Sequence, residues 1–392
     1  MRSYSRKTRH SRGAPKRRLL SSILTRITTG AICASMLVLV GCQQQQTSDR
    51  DTVQIAGKAI TVLDNPELTS YDKSETNTLV RLVDVRGLDW LSEEQIIIDR
   101  ENRDFKPEHI EGSDWYPHNL YVHTLSTAAQ VPLLPANENQ GFALASPDRT
   151  RIFYKTFSLQ SNTGQGHFLD LATGKTASFT EADAMDNQNG RWMDNESVVF
   201  ATIDGKAYVA DVGNDRPRLV ADTAIPFPNN VAFLNERVYF TSLKGTLLTS
   251  PQENTVVTAQ FTNVIWMVPS PDEQRLAIVR KLSNGGEMEL IITDLEGNVL
   301  QAIAQDSQIY GTAWSPDGKK LAYAGITPSG TVRGVYVADT STGLSNTLSL
   351  DVKFIADPLR WNPSSNRLMV TSTQPDEQKN RNQFITYLVR IS

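Results

Sequence analysis

At 392 residues, 39% hydrophobic and 21% charged, the chain has the composition of an ordinary globular protein with room for a sizeable core. Its formal charge of −4 hides an asymmetry: residues 1–41 hold nine of the 39 Lys and Arg and no Asp or Glu, so the remainder sets 30 basic against 43 acidic side chains. A body that acidic disfavours nucleic acid and anionic headgroups as partners. Cys33 and Cys42 are the only cysteines, so beyond residue 42 there is none for a disulfide or a thiolate metal site.

The first predicted element is a leader. Residues 1–18 are crowded with Arg and Lys, and 27–40 form a mostly apolar run too short to span a bilayer but suited to a secretory signal. The run ends in Leu39-Val40-Gly41-Cys42, which resembles the bacterial lipobox. That resemblance implies cleavage after Gly41 and a lipid-bearing, palmitoylated Cys42 at the new N-terminus. Residues 1–41 are therefore expected to be a lipoprotein signal peptide. Residues 42–76, opening on four glutamines, are expected to be a flexible tether with a short strand within 53–63. The expected location is the extracytoplasmic face of the cell membrane or envelope, or the outer membrane where the organism has one, with the lipid as the contact to the membrane.

From residue 77 to 392 the pattern is all-β and repetitive. In 308–350 an apolar strand ends at Trp314, Ser315-Pro316-Asp317-Gly318 makes a turn, and two more strands and a Thr342-Gly343 turn lead to a fourth strand. Proline presets the first central φ of such a turn, aspartate bonds its own backbone, and glycine accepts positive φ. The offsets of seven and twenty-five residues that join Trp314 to Leu321 and Asp339 also join Ala145 to Ile152 and Asp170, and Pro269 to Leu276 and Asp294. Weaker copies start at Trp90, Trp192, Phe233 and Trp361. Four strands in about 43 residues make one blade, which buries its faces only against neighbours. The expected fold is a β-propeller of seven four-stranded blades, with six as the alternative count. The last blade runs out of chain after three strands, and 77–83 is a spare strand, so pairing of the two terminal strands is expected to close the ring.

Because the innermost strand comes first in each blade, the Ser-Pro-Asp turns open on one axial face and the second-to-third connections on the other. These connections are minimal in blades three and four and longest in blade one, where 100–119 carries Phe105, His109, Trp115, Tyr116 and His118. Long connections carry function more often than short ones, and Trp and Tyr offer large stiff contact area. These five residues are the candidate binding site. The opposing expectation is that the three aromatics pack the loop back onto the ring.

The Ser-Pro-Asp copies with Thr173-Gly174 and Thr342-Gly343 resemble the repeats of TolB-type β-propellers, related in pattern to WD40-like repeats. The resemblance spans about 300 residues. It implies the architecture, and a role either in binding other proteins or, where a hydrolase domain is attached, in enzymes; no hydrolase domain is expected here. His109 and His118 can be grouped on paper with Glu108, Glu111 and Asp114, but no short metal-ligand spacing is present, so no metal and no cofactor is expected. His123 and His167 are expected to be structural. With no nucleophile elbow or phosphate-cradling loop, the expectation is a non-catalytic binding or scaffold module for an envelope protein, peptide or glycan. The alternative is a hydrolase or lyase using acidic residues or His109 and His118 at the axial face.

Overall fold

The computed structural model describes residues 52–55, 58–61 and 79–391, apart from 111–112, 135–137, 158–162, 180–184, 187–188, 252–257, 284–285, 328, 330, 349, 351 and 377–380. The expected signal peptide, residues 1–41, and Cys42 lie outside the described residues. Within 42–76, expected to be a tether, only an antiparallel hairpin, Thr52–Ile55 with Lys58–Thr61, is described, and it belongs to a unit separate from 73–392.

The second unit is a β-propeller of seven blades. Innermost to outermost, blade 1 is Arg86–Trp90, Gln95–Glu101, His118–Thr124 and Gln130–Pro132, and blade 6 is Gln308–Trp314, Lys320–Ile326, Val332–Asp339 and Ser345–Leu348. Blade 7 runs Arg360–Trp361, Arg367–Asp376, Arg381–Arg390 and then Leu79–Val83, so the N-terminal strand supplies the outermost position and closes the ring. The spacing read from the sequence is the strand register itself: Trp314 faces Leu321, Trp361 faces Leu368, Ala145 faces Ile152 and Phe233 faces Val238. Two elements were not foreseen. The 102–117 connection folds into its own hairpin, Glu108–Ile110 with Ser113–Trp115, and Met185–Asp186 adds a fifth strand to blade 2.

Each blade is sandwiched between two others, so its second strand is buried on both faces and reads as an unbroken apolar run, as in Ile96-Ile97-Ile98 and Leu276-Ala277-Ile278-Val279. The core accordingly divides into seven clusters, one per seam. Burying each large apolar side chain is worth about 1.5–3 kcal/mol, and the seams collect many. Tryptophans at the ends of innermost strands also direct the seams. Trp90 Nε1–H donates to the Arg360 carbonyl (3.2 Å), Trp192 to Leu144 (2.9 Å), Trp314 to Val268 (3.0 Å) and Trp361 to Ala313 (3.1 Å), each in the preceding blade. A buried indole N–H without an acceptor would cost its hydration, so these four bonds fix blade order as well as packing. Blade 2 lacks the tryptophan; there Asp89 of blade 1 accepts from the Ala145 N–H (3.0 Å).

The Ser-Pro-Asp turns hold as local chemistry predicts. Ser315 Oγ donates to Asp317 (2.6 Å) and accepts from the Lys320 N–H (2.9 Å), and Ser146 does the same with Asp148 and Arg151. The fourth turn residue is left-handed in every copy, yet only Gly318 is glycine; Arg149, Glu273 and Ser365 adopt φ of 62°, 57° and 59°.

Candidate functional site at the axial channel

The innermost strands enclose a water-accessible channel of about 1390 Å³ along the ring axis. In five blades this strand carries a register shift, at 87/89, 141/144, 229/232, 264/266 and 310/313. Phe142, Asn230 and Gly311, within three of these shifts, have positive φ. Bulges bend a strand and re-aim its side chains, which is how a strand otherwise packed between blades presents residues to the axis.

At the loop face the channel mouth is built around Arg86. Its Nε and one NH₂ nitrogen donate to both oxygens of Asp357 (2.9 and 2.8 Å), and the other NH₂ nitrogen donates to Asp99 (3.0 Å). The second Asp99 oxygen meets His118 Nδ1 at 2.5 Å, and Phe384 lies 5.1 Å beneath the guanidinium. Burial opposes a charged His118, but the hydrogen bond and charge of Asp99 outweigh it and raise its pKa above the ordinary 6.5. The arrangement is a bidentate, charge-assisted clasp across blades 7 and 1, with the His118 ring as its outer member.

Of the five residues predicted for the site, the structure brings Trp115 and His118 to this channel. Trp115 is 53% exposed and overhangs the mouth. His109 does not join them: it bonds Asp114 (3.0 Å) on the small hairpin, with both side chains mostly in water. Tyr116 is half-buried with Arg103 over its ring at 5.2 Å, and Phe105 is half-buried, so those two hold the loop while Trp115 projects. Among the described residues no group of three or more His, Cys, Asp or Glu side chains could hold a metal ion. His123 and His167 sit in the walls. His167 bonds Thr156 and Ser178 (both 2.8 Å) and stacks on Tyr154, and burial pushes its pKa down to about 4.

Deeper residues went unread in the sequence. Arg191 and Arg360, from the innermost strands of blades 3 and 7, line the channel together with Trp266, Tyr310, Thr312 and Glu273. One signal was available: the dipeptide Arg-Trp occurs at 191–192 and 360–361, and its tryptophan ends an innermost strand in both places.

No family model matches the chain, and no curated protein sequence matches it. Among solved structures, an oligogalacturonate lyase in complex with manganese superposes with a TM-score of 0.57 at 14% identity, covering 88% of this chain and 96% of that one. The WD40 β-propeller domain of Doa1 gives 0.52 at 12% identity over 79% and 94%. TolB from Acinetobacter baumannii gives 0.45 at 16% identity over 67% and 65%. At such identities what the chain has in common with these proteins is the propeller fold.

Proposed function

We propose that the propeller is a non-catalytic binding or scaffold module, which receives an envelope protein, peptide or glycan on its loop face at the channel mouth. We further propose that the lipid on Cys42 holds it at the extracytoplasmic face of a membrane. The observation that carries the first reading is Trp115, a large aromatic left half in water at the rim of an open channel. An exposed ring of that size, fixed by a hairpin and by the half-buried Tyr116 beside it, is what an anchor residue looks like before its partner arrives. Convergent polar groups in a concave site support the same reading.

The Asp99–His118 pair favours a second reading, acid–base chemistry at the mouth, because a carboxylate-oriented imidazole can pass a proton through Nε2. Asp99 favours the charged ring, and no nucleophile is bonded to His118 among the described residues. A hydrolase or lyase therefore ranks behind a binder.

The test is capture from solubilised membranes with the full chain, run beside Cys42→Ala. The variant is expected to leave the membrane fraction but retain the partner when mixed with membrane extract. Retention of the variant in washed membranes would overturn the anchor, and failure of both chains to retain any protein or glycan would overturn the binding role.

A further inference from the structure

At the channel mouth Arg86 is satisfied by two carboxylates, whereas the two arginines deeper in the channel are not. The Arg191 guanidinium makes no hydrogen bond and no ion pair with any described residue, and Arg360 gives only its Nε–H, to the Leu88 carbonyl (3.3 Å). They stand on blades 3 and 7, across the ring from each other, each one residue before the tryptophan that ends its innermost strand. Burial lowers the Arg191 pKa to about 10 against the opposing charge of Glu273, and the nearby positive charge of Arg360 lowers it further. Glu273 is the carboxylate closest in effect, yet it forms no ion pair with Arg191, and its own burial raises its pKa.

Arg191 and Arg360 each lie one residue in from the tryptophan that ends their strand, and so at matching axial depth. A guanidinium is a donor only. Two cations without carboxylate partners, on opposite sides of water-accessible space, are stabilised together by one species, an oxygen-rich anion.

We infer that Arg191 and Arg360 form an oxyanion site on the propeller axis, which takes the carboxylate or phosphate group of a ligand entering the channel. This rests on the reading of the channel as a binding site and adds the chemistry of what enters. Arginine's planar fork suits either group, since both present paired oxygens.

The test is calorimetric titration of the full chain in detergent at low ionic strength with inorganic phosphate, with D-glucuronate, and with neutral D-glucose as control. Phosphate or glucuronate is expected to bind and glucose not to. Phosphate alone would make the ligand a phosphate ester, glucuronate alone a carboxylate. Arg191→Gln and Arg360→Gln are each expected to weaken binding at least tenfold. Neither substitution breaks a carboxylate pair, so without anion Arg191→Gln should melt at or above the parent temperature and Arg360→Gln, which gives up only the bond to Leu88, close to it, which separates loss of the site from loss of the fold. Absence of binding by both anions, or equal binding by parent and variants, overturns the inference. If the arginine variants lose the anion but still capture the membrane partner, the binding role stands and the anion serves another ligand. If anion binding survives while no partner is captured, the oxyanion site stands and the scaffold role fails.

Discussion

On one face of the ring Ser146, Ser270 and Ser315 make the same hydrogen bonds in three blades, and Asn362 takes their place in a fourth by accepting from the Arg367 N–H (2.7 Å). On the other face the connections range from residues 202–205 in blade 3 to 102–117 in blade 1, which carries its own hairpin, and to the long strands Arg367–Asp376 and Arg381–Arg390 of blade 7. The first face repeats because each turn answers the same need, to reverse a strand whose end is buried. The second answers no common need, since a blade packs equally well under a short or a long connection. Under the proposed binding role, stability and recognition fall at opposite ends of the same strands, with the channel between them.

Both faces depend on the ring being closed, so the largest expected effect comes from opening it. Deletion of residues 383–392 removes most of the strand that pairs Leu79–Val83 on one side and Arg367–Asp376 on the other. The seam to blade 1 loses the Thr386 hydroxyl, which donates to the Val85 carbonyl (2.8 Å) and accepts from the Gly87 N–H (2.9 Å). The expected result is loss of the cooperative thermal transition by circular dichroism, not a frayed end. A truncated chain that melts at the parent temperature would show that the faces do not share one closed scaffold.

The closure, the seven blades and the strand register were legible because they follow from periodicity and from the need to cover edges. The turn aspartates were legible for the same reason, as local bonds within five residues. The channel was not. Arg86, Asp99 and Asp357 come together from residues 271 apart in sequence at the extreme, and the register shifts that aim Phe142 and Asn230 leave no mark in composition. His118 and Trp115 were found through loop length, and His109 was grouped with them only because sequence neighbours look like spatial ones. The small hairpin pairs His109 with Asp114, whereas His118 bonds Asp99 at the channel mouth.

Two histidines sharpen the contrast between wall and loop face through the sign of their pH dependence. His167, in the wall of blade 2, has its pKa lowered from 6.5 to about 4, so the folded state prefers the neutral ring. Its contribution is complete above pH 6.5 and is lost as pH falls from there towards 4, about 3 kcal/mol in the limit. His118 has its pKa raised, so its contribution is complete below 6.5 and is lost as pH rises through the folded value. Melting temperature is therefore expected to fall less between pH 6.5 and 4 in His167→Gln than in the parent. In His118→Gln the parent's loss of stability above pH 6.5 should be absent. Parallel curves for all three chains would contradict both assignments.

The smallest expected effects on stability come from one substitution on each face, measured for melting and for partner binding alike. Ser315→Ala removes a buried hydroxyl that serves Asp317 and the Lys320 N–H, and should cost about 1–2 kcal/mol of stability, the range for a buried hydrogen bond left unmade. It lies at the end of the channel opposite Trp115, so binding should be unchanged. Trp115→Ala combined with Tyr116→Ala should do the reverse. Trp115 is 53% exposed and packs little, while Tyr116 trades a half-buried contact with Arg103, so the melting shift should be small. Loss of a central aromatic anchor should weaken partner binding by more than about 1 kcal/mol, roughly a fivefold rise in Kd. If the pair instead lowers the melting temperature and leaves binding intact, the aromatics pin the loop to the ring. The recognition surface would then have to lie along the connections of blades 6 and 7 on the same face.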